Sequence, residues 1–187
     1  MSHGVNAIRP GFFGKLPARG DFVGAGLSPE LVSAWHGWMA MRLAESREQL
    51  QDDWKTLWLV APVWRFALPP GQCGARALTG LFLPSVDKVG RYFPLLAGVE
   101  GAGAGRDPTD PDARSFHDQI ETSCRWALEQ DWAPDRVLAS LSVIAAPDDA
   151  PTRVGLWWTE GGPHVAAGSF EADGLPDGPR FQQMLRS

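Results

Sequence analysis

The segment that most constrains the fold opens at Ser28-Pro29-Glu30. A side chain able to cap a helix stands there before a proline suited to the first helical position and an acid that meets the positive end of the helix dipole. Leu27, Leu31, Trp35, Trp38, Met39, Leu43 and Leu50 then recur at three-to-four spacing, while Glu30, Arg42, Glu45, Arg47 and Glu48 fall mostly elsewhere. The spacing predicts an amphipathic helix to about residue 50, and such a helix must bury its stripe against another surface. That surface comes from short segments at 63–68, 77–83, 92–99, 153–159 and 165–170, each rich in aromatic or branched residues and bounded by Gly or Pro, the pattern of strands. The last two read as a hairpin through Glu160-Gly161-Gly162-Pro163. A second helix is expected from Asp110-Pro111-Asp112, burying Phe116, Ile120, Cys124, Ala127 and Leu128. A shorter one starts at Pro134 with Val137, Leu138, Leu141 and Ile144, and a last turn or two at Pro179 with Phe181, Met184 and Leu185. Helices and strands in this order specify α/β layers, with a mixed β-sheet because the hairpin spacing is too short for a purely parallel one.

At 187 residues the chain is long enough for one domain, 1–187. The stretch from Gly98 to Pro111, with its GAGAG run, reads as a surface loop that sets off 112–187 as a candidate subdomain. Hydrophobic residues at 44% and charged residues at 21% exclude wholesale disorder. A formal charge of −5 argues against nucleic acid or an anionic membrane as partner, since both require a basic face. The longest apolar run, Leu57 to Trp64, falls far short of a bilayer span, and no signal-peptide pattern opens the chain. A cytoplasmic protein is therefore expected. Cys73 and Cys124 sit in no CxxC and read as reduced, buried residues rather than a disulfide or zinc site.

Two glycine-flanked segments are basic islands in this acidic chain. Residues 11–22 carry Lys15, Arg19 and Asp21, and residues 84–94 carry Asp87, Lys88 and Arg91. One reading has them converge to grip an anion, a phosphate or a partner's acidic patch. The other has Asp21 and Asp87 pair with Arg19, Arg91 or Arg65 to brace irregular loops; a braced loop is also what presents a binding surface. Nine tryptophans fit core packing at most positions. Trp157 and Trp158 must point to opposite sides of their strand, so one is exposed or lies under a helix. Gly14-Lys15 is no Walker loop, because Leu16 stands where magnesium needs Ser or Thr. His3, His36, His117 and His164 form no ligand pattern, and His36 and His117 are expected at the helix surface or boundary. Ser85 lacks a nucleophile elbow and a base, and Arg19-Gly20-Asp21 reads as a chance tripeptide.

The string GFFGKLPARGDF at 11–22, the Trp-bearing helix after it, APVWRF at 61–66 and PSVDKVGR at 84–91 together resemble the type VI secretion-associated TagF family, also called ImpM. WWTEGG at 157–162 and the segment from Gly174-Leu175-Pro176 to Phe181 extend a weaker likeness over nearly the whole chain. Lys88 departs from the Arg more often carried there, which matters only if that position binds bidentately. The resemblance implies a three-layer α/β/α sandwich. It also implies a cytoplasmic accessory protein that represses type VI secretion after translation, by contacting the forkhead-associated scaffold protein of the apparatus. Some relatives are fused to a PP2C-type phosphatase, for which no residues remain here. On this reading the protein is not an enzyme and needs no cofactor or metal. Lys15, Arg19, Asp21, Arg65, Asp87, Lys88 and Arg91 are then the polar members of a partner-binding surface formed or supported by the two segments. The alternatives are a sensor or enzyme that holds a phosphate-bearing small molecule with the same cluster, or binding through Trp157 or Trp158.

Overall fold

The computed structural model describes residues 8–101, 109–147 and 153–187. Helix α1 spans Pro29–Leu50, as its signature predicts, and Ser28 Oγ caps it by accepting Leu31 N–H at 3.3 Å. Ser28 also donates its N–H and its hydroxyl to the two oxygens of Glu100, each at 2.8 Å. A buried carboxylate thus meets the positive end of α1 and ties the helix to the sheet. α3 (Pro111–Glu129) starts at its expected cap, Asp110, which accepts Asp112 N–H and Ala113 N–H. α4 (Pro134–Ser142) and α5 (Gly178–Leu185) also stand where expected. α2 (Trp54–Leu59) is an addition, too short at six residues to leave a periodic signal.

Seven strands, β1 (Arg9–Gly14), β2 (Val23–Ala25), β3 (Trp64–Leu68), β4 (Leu78–Leu83), β5 (Leu95–Glu100), β6 (Gly155–Thr159) and β7 (Gly168–Ala172), form one sheet in the order β2-β1-β5-β4-β3-β6-β7. Every pairing is antiparallel. The expected mixed sheet is therefore corrected: the α/β class holds, but the sheet contains no parallel pair. The reason lies in the connections. β1–β2, β3–β4, β4–β5 and β6–β7 are hairpins, and each long connection carries two helices instead of the single crossover helix that delivers a parallel strand. β1 takes in the start of the 11–22 segment read as irregular, β2 follows that segment directly, and β5 takes in Gly98–Glu100 from the expected surface loop, whose residues 102–108 lie outside the described residues, as does His3. β7 starts three residues later than expected because Gly162 and Val165 form a bridge of their own before it.

Side chains alternating along the strands divide between two cores. Trp64, Phe66, Leu68, Phe82, Leu96 and Trp157 pack with α1, α2 and with Phe181, Met184 and Leu185 of α5. Phe12, Leu81, Leu83, Leu95, Ala97 and Val99 pack with α3 and α4. Trp64 Nε1 donates to Met184 O at 2.9 Å and Trp38 Nε1 to Pro176 O at 2.7 Å, which fastens the C-terminal segment to the first core. Trp157 and Trp158 are both buried on opposite faces, and Trp158 lies under α3 with its ring 4.6 Å from that of His117. His117 is itself 1% exposed, which corrects its expected boundary position: it is on the sheet-facing side of α3. Cys73 and Cys124 are free and buried, and burial pushes both thiols up to about 12. No helix among the described residues is long and apolar enough to cross a membrane.

Gly11, Gly98 and Gly80 stand side by side across β1, β5 and β4. A Cβ on Gly98 would collide with Thr79 O and come within 2.8 Å of Gly80 Cα, both backbone atoms that cannot rotate away. Gly98→Ala should lower Tm by about 5 °C in a thermal melt, the scale of mild overpacking in a domain of this size. An unchanged Tm would mean that these strands spread at no cost.

Candidate functional site

Pro84 to Pro94 forms a tight hairpin organised around the carboxylate of Asp87. Phe93 N–H donates to Ser85 O at 3.2 Å, Asp87 N–H to Arg91 O at 3.0 Å and Gly90 N–H to Asp87 O at 3.0 Å. Gly90 takes φ of +83°, a conformation glycine adopts without penalty. Asp87 Oδ1 accepts Val89 N–H at 3.0 Å and Arg91 N–H at 2.9 Å. Its Oδ2 accepts Lys15 Nζ–H and Arg91 Nε–H, each at 2.8 Å. The carboxylate has no exposed side-chain surface and Lys15 keeps only 4%. Burial alone would raise the pKa of Asp87, but hydrogen bonds from Lys15, from Arg91 and from the Val89 amide outweigh it and hold the carboxyl well below the usual range.

The hairpin is also docked onto the end of β1. Ser85 Oγ donates to Lys15 O at 2.8 Å, and Trp58 Nε1 donates to Ser85 O at 3.3 Å. Gly14 takes φ of +148°, and a Cβ there would collide with Pro94 O. The Lys15 ammonium lies 4.4 Å over the Phe22 ring, and Phe22 stacks 5.4 Å from Phe13 and meets Phe93 edge-on at 4.8 Å.

The two basic segments therefore converge, and the bonds between them are those of bracing. Asp87 is braced by Arg91, as expected, but its second partner is Lys15 and not Arg19 or Arg65. Asp21 is fully exposed and reaches Arg91 only at 4.0 Å. Arg19 and Lys88 are exposed beside it. Arg65 belongs elsewhere: β3 turns it toward α3, where Asp118 Oδ1 and Glu121 Oε2 accept its Nη2 at 2.7 and 2.8 Å. Burial opposes the charge on Arg65, but its hydrogen bonds to Glu121 and Asp118 raise the pKa overall. Glu121, which also accepts Arg125 Nε–H at 2.9 Å, is pushed up by burial yet pulled below its ordinary value by the two arginines. Burial drives the neighbouring His117 down to about 4, so it is neutral at pH 7.

Sequence reasoning missed the other wall of the site. The end of α1 and the turn at 51–53 bring Arg47 over the Trp54 ring at 4.4 Å. Together with Tyr92 they face Lys15, Phe22 and Arg91 across an open groove of about 520 Å³. A helical face at Arg47 was legible, but the direction of the chain after Leu50 was not. A second open groove, of about 640 Å³, lies between α3 and α4 beside the half-exposed Trp126. Among the described residues, no group of His, Cys, Asp and Glu side chains has the makings of a metal site.

The model of the TagF N-terminal domain, type VI secretion system-associated, matches residues 11–144. The crystal structure of PA0076 from Pseudomonas aeruginosa PAO1, at 2.05 Å resolution, is similar over 96% of this chain and 94% of that one, with 29% sequence identity and a TM-score of 0.79. No curated protein sequence matches. The matched span contains both segments of the braced hairpin site and the Arg47–Trp54 wall of the groove. The chain belongs to the TagF family of type VI secretion-associated proteins.

Proposed function

We propose that this protein is a non-enzymatic, cytoplasmic regulator that represses type VI secretion after translation, by presenting the surface around the 84–94 hairpin to the forkhead-associated scaffold protein of the apparatus. Its two cores on alternate strand faces are read as the three α/β/α layers of that family. The observation that carries the proposal is the inward use of Asp87. All four of its hydrogen bonds go to the hairpin and to Lys15, so the loop is rigid while Lys88, Val89 and Arg91 stand exposed on it with Arg19 and Phe22 alongside. A pre-ordered loop loses little entropy on docking. Lys15 and Asp87 then support the surface, Arg19, Asp21, Lys88 and Arg91 contact the partner, and Arg65 takes no part in it.

The test is titration calorimetry against the scaffold protein, with Lys88→Glu and Val89→Asp beside the wild type. Both variants should retain their Tm, because both side chains are exposed. Each should weaken binding by about tenfold or more, the effect of a reversed or newly buried charge at a contact. No heat from folded wild-type protein at several temperatures would overturn the reading. In that event a melting scan with nucleotides and sugar phosphates tests the small-molecule alternative, since a ligand of the native state raises Tm by mass action.

A further inference from the structure

The groove beside the hairpin is basic in a chain whose formal charge is −5. Lys15, Arg47 and Arg91 line it together with aromatic rings, and among the described residues no acid does. Asp87 occupies Lys15 and the Nε of Arg91, but the Arg91 side chain remains 56% exposed. Arg47 is different, because its guanidinium is held at 4.4 Å over Trp54 and pairs with no carboxylate among the described residues. Lys55 does not line the groove, but its ammonium lies 6.0 Å from the centre of the ring of Tyr92, which does, and it also lacks an acid partner among them. The rings that hold these cations are fixed. Trp54 and Tyr92 meet edge-on at 5.5 Å, and Trp54 Nε1 donates to Ser46 Oγ at 2.8 Å. Of the nearby acids, Asp53 is engaged by Arg186 at 3.5 Å, Asp52 is exposed to water, and the fully exposed Asp21 reaches Arg91 only at 4.0 Å. Arg47 and Lys55 are thus placed against aromatic rings without a carboxylate partner among the described residues, a geometry in which an incoming carboxylate finds donors already ordered.

We propose that this groove docks an acidic segment of a partner protein, with its carboxylates against Arg47, Lys55 and Arg91. The volume of about 520 Å³ falls within the range of built ligand sites, roughly 300–1,000 Å³. The groove's apolar margin selects a peptide over a free anion. Phe22 and Val89 are 40% and 63% exposed next to it, and a lone phosphate would leave both in water, whereas a segment that alternates acids with apolar side chains covers them. The proposal rests on the hairpin region being the docking face, and it names the chemistry of what docks there.

The experiment is fluorescence anisotropy with a labelled dodecapeptide of alternating Glu-Leu pairs and its Lys-Leu counterpart, each titrated with wild type, Arg47→Ala and Lys55→Ala. Both substituted residues are exposed on helices, so retained Tm is the control for folding. The acidic peptide should bind wild type, weaken as salt rises, and bind Arg47→Ala about tenfold more weakly, while the basic peptide stays free. Equal binding of the two peptides, full binding to Arg47→Ala, or protection of the fold by inorganic phosphate with no binding of the acidic peptide would each overturn it. Scaffold titrations of the same variants separate the two readings. A scaffold that binds wild type and Arg47→Ala alike, with the acidic peptide unbound, removes the groove and leaves the docking face. An acidic peptide that binds through Arg47 while the scaffold does not supports the groove and removes the scaffold as partner.

Discussion

Lys15→Met should lower Tm by about 10 °C, the outcome of breaking a buried pair in a domain of this size. The methylenes of Met occupy much the same space under Phe22, so the loss falls on the charge. Asp87 would then lie buried with Arg91 as its single cation, having lost the ammonium 2.8 Å from its Oδ2. The double variant Lys15→Met/Asp87→Asn tests the mechanism. Asn Oδ1 can still accept Val89 N–H and Arg91 N–H, which define the hairpin, while both buried charges are gone. The double variant should therefore be more stable than Lys15→Met alone, a coupling readable by calorimetric melts. If the two substitutions simply add, the bridge is not what holds the hairpin to β1. Scaffold affinity in the double variant should track the amount of ordered hairpin and not the lost charges.

Acid should weaken the fold in two separate windows, and His117 sets the upper one. Its folded pKa is about 4, against roughly 6.5 in an unfolded chain. Between these values the unfolded state binds the extra proton and the folded state does not, so stability rises with pH across the window. The contribution is complete above pH ~6.5, shrinks as pH falls, and is gone by about pH 4, for a loss of about 3 kcal/mol. Burial is the main cause, and the Arg65 guanidinium adds repulsion, while the carbonyl of Ala113, the backbone of Phe66 and the charge of Asp118 work the other way. Asp87 and Glu121 act lower. Both carboxyls are held below their ordinary values, so their share is intact above about pH 4.5 and disappears as pH falls through their depressed folded values. His117→Leu should flatten denaturant-measured stability between pH 6.5 and 4 and leave the steeper acid limb below it. A slope unchanged in that variant would assign the upper window to another group.

What was legible in the sequence follows from the range over which each signal acts. α1 and α3 announce themselves within a few residues, through Ser28 and Asp110 as caps, proline at the first turn and an apolar stripe. β1 was hidden because Pro10, Gly11 and Gly14 break every strand propensity, and its pairing partner, β5, lies more than eighty residues away and supplies a glycine of its own at Gly98. The convergence of 11–22 with 84–94 was legible as two basic islands, but not the pairing of Lys15 with Asp87 across 72 positions. Arg65 was misplaced for a reason of parity. Trp64 and Phe66 point into the first core, so the residue between them must point to the other face, toward Asp118 and Glu121, and that parity is fixed only once the sheet exists. Arg47 and Trp54 meet because the chain turns sharply at Gln51, which takes φ of +45°.

The family-model match stops at residue 144, before β6, β7 and α5. The fold does not stop there. Trp157 sits against Phe66 at 4.9 Å and against Trp38 at 6.0 Å, and Phe181 meets Trp38 at 5.9 Å, so the final strands and helix close the apolar wall that α1 opens. The matched span thus shares its core with β6 and α5, and a change in either is felt by the helix that carries Arg47.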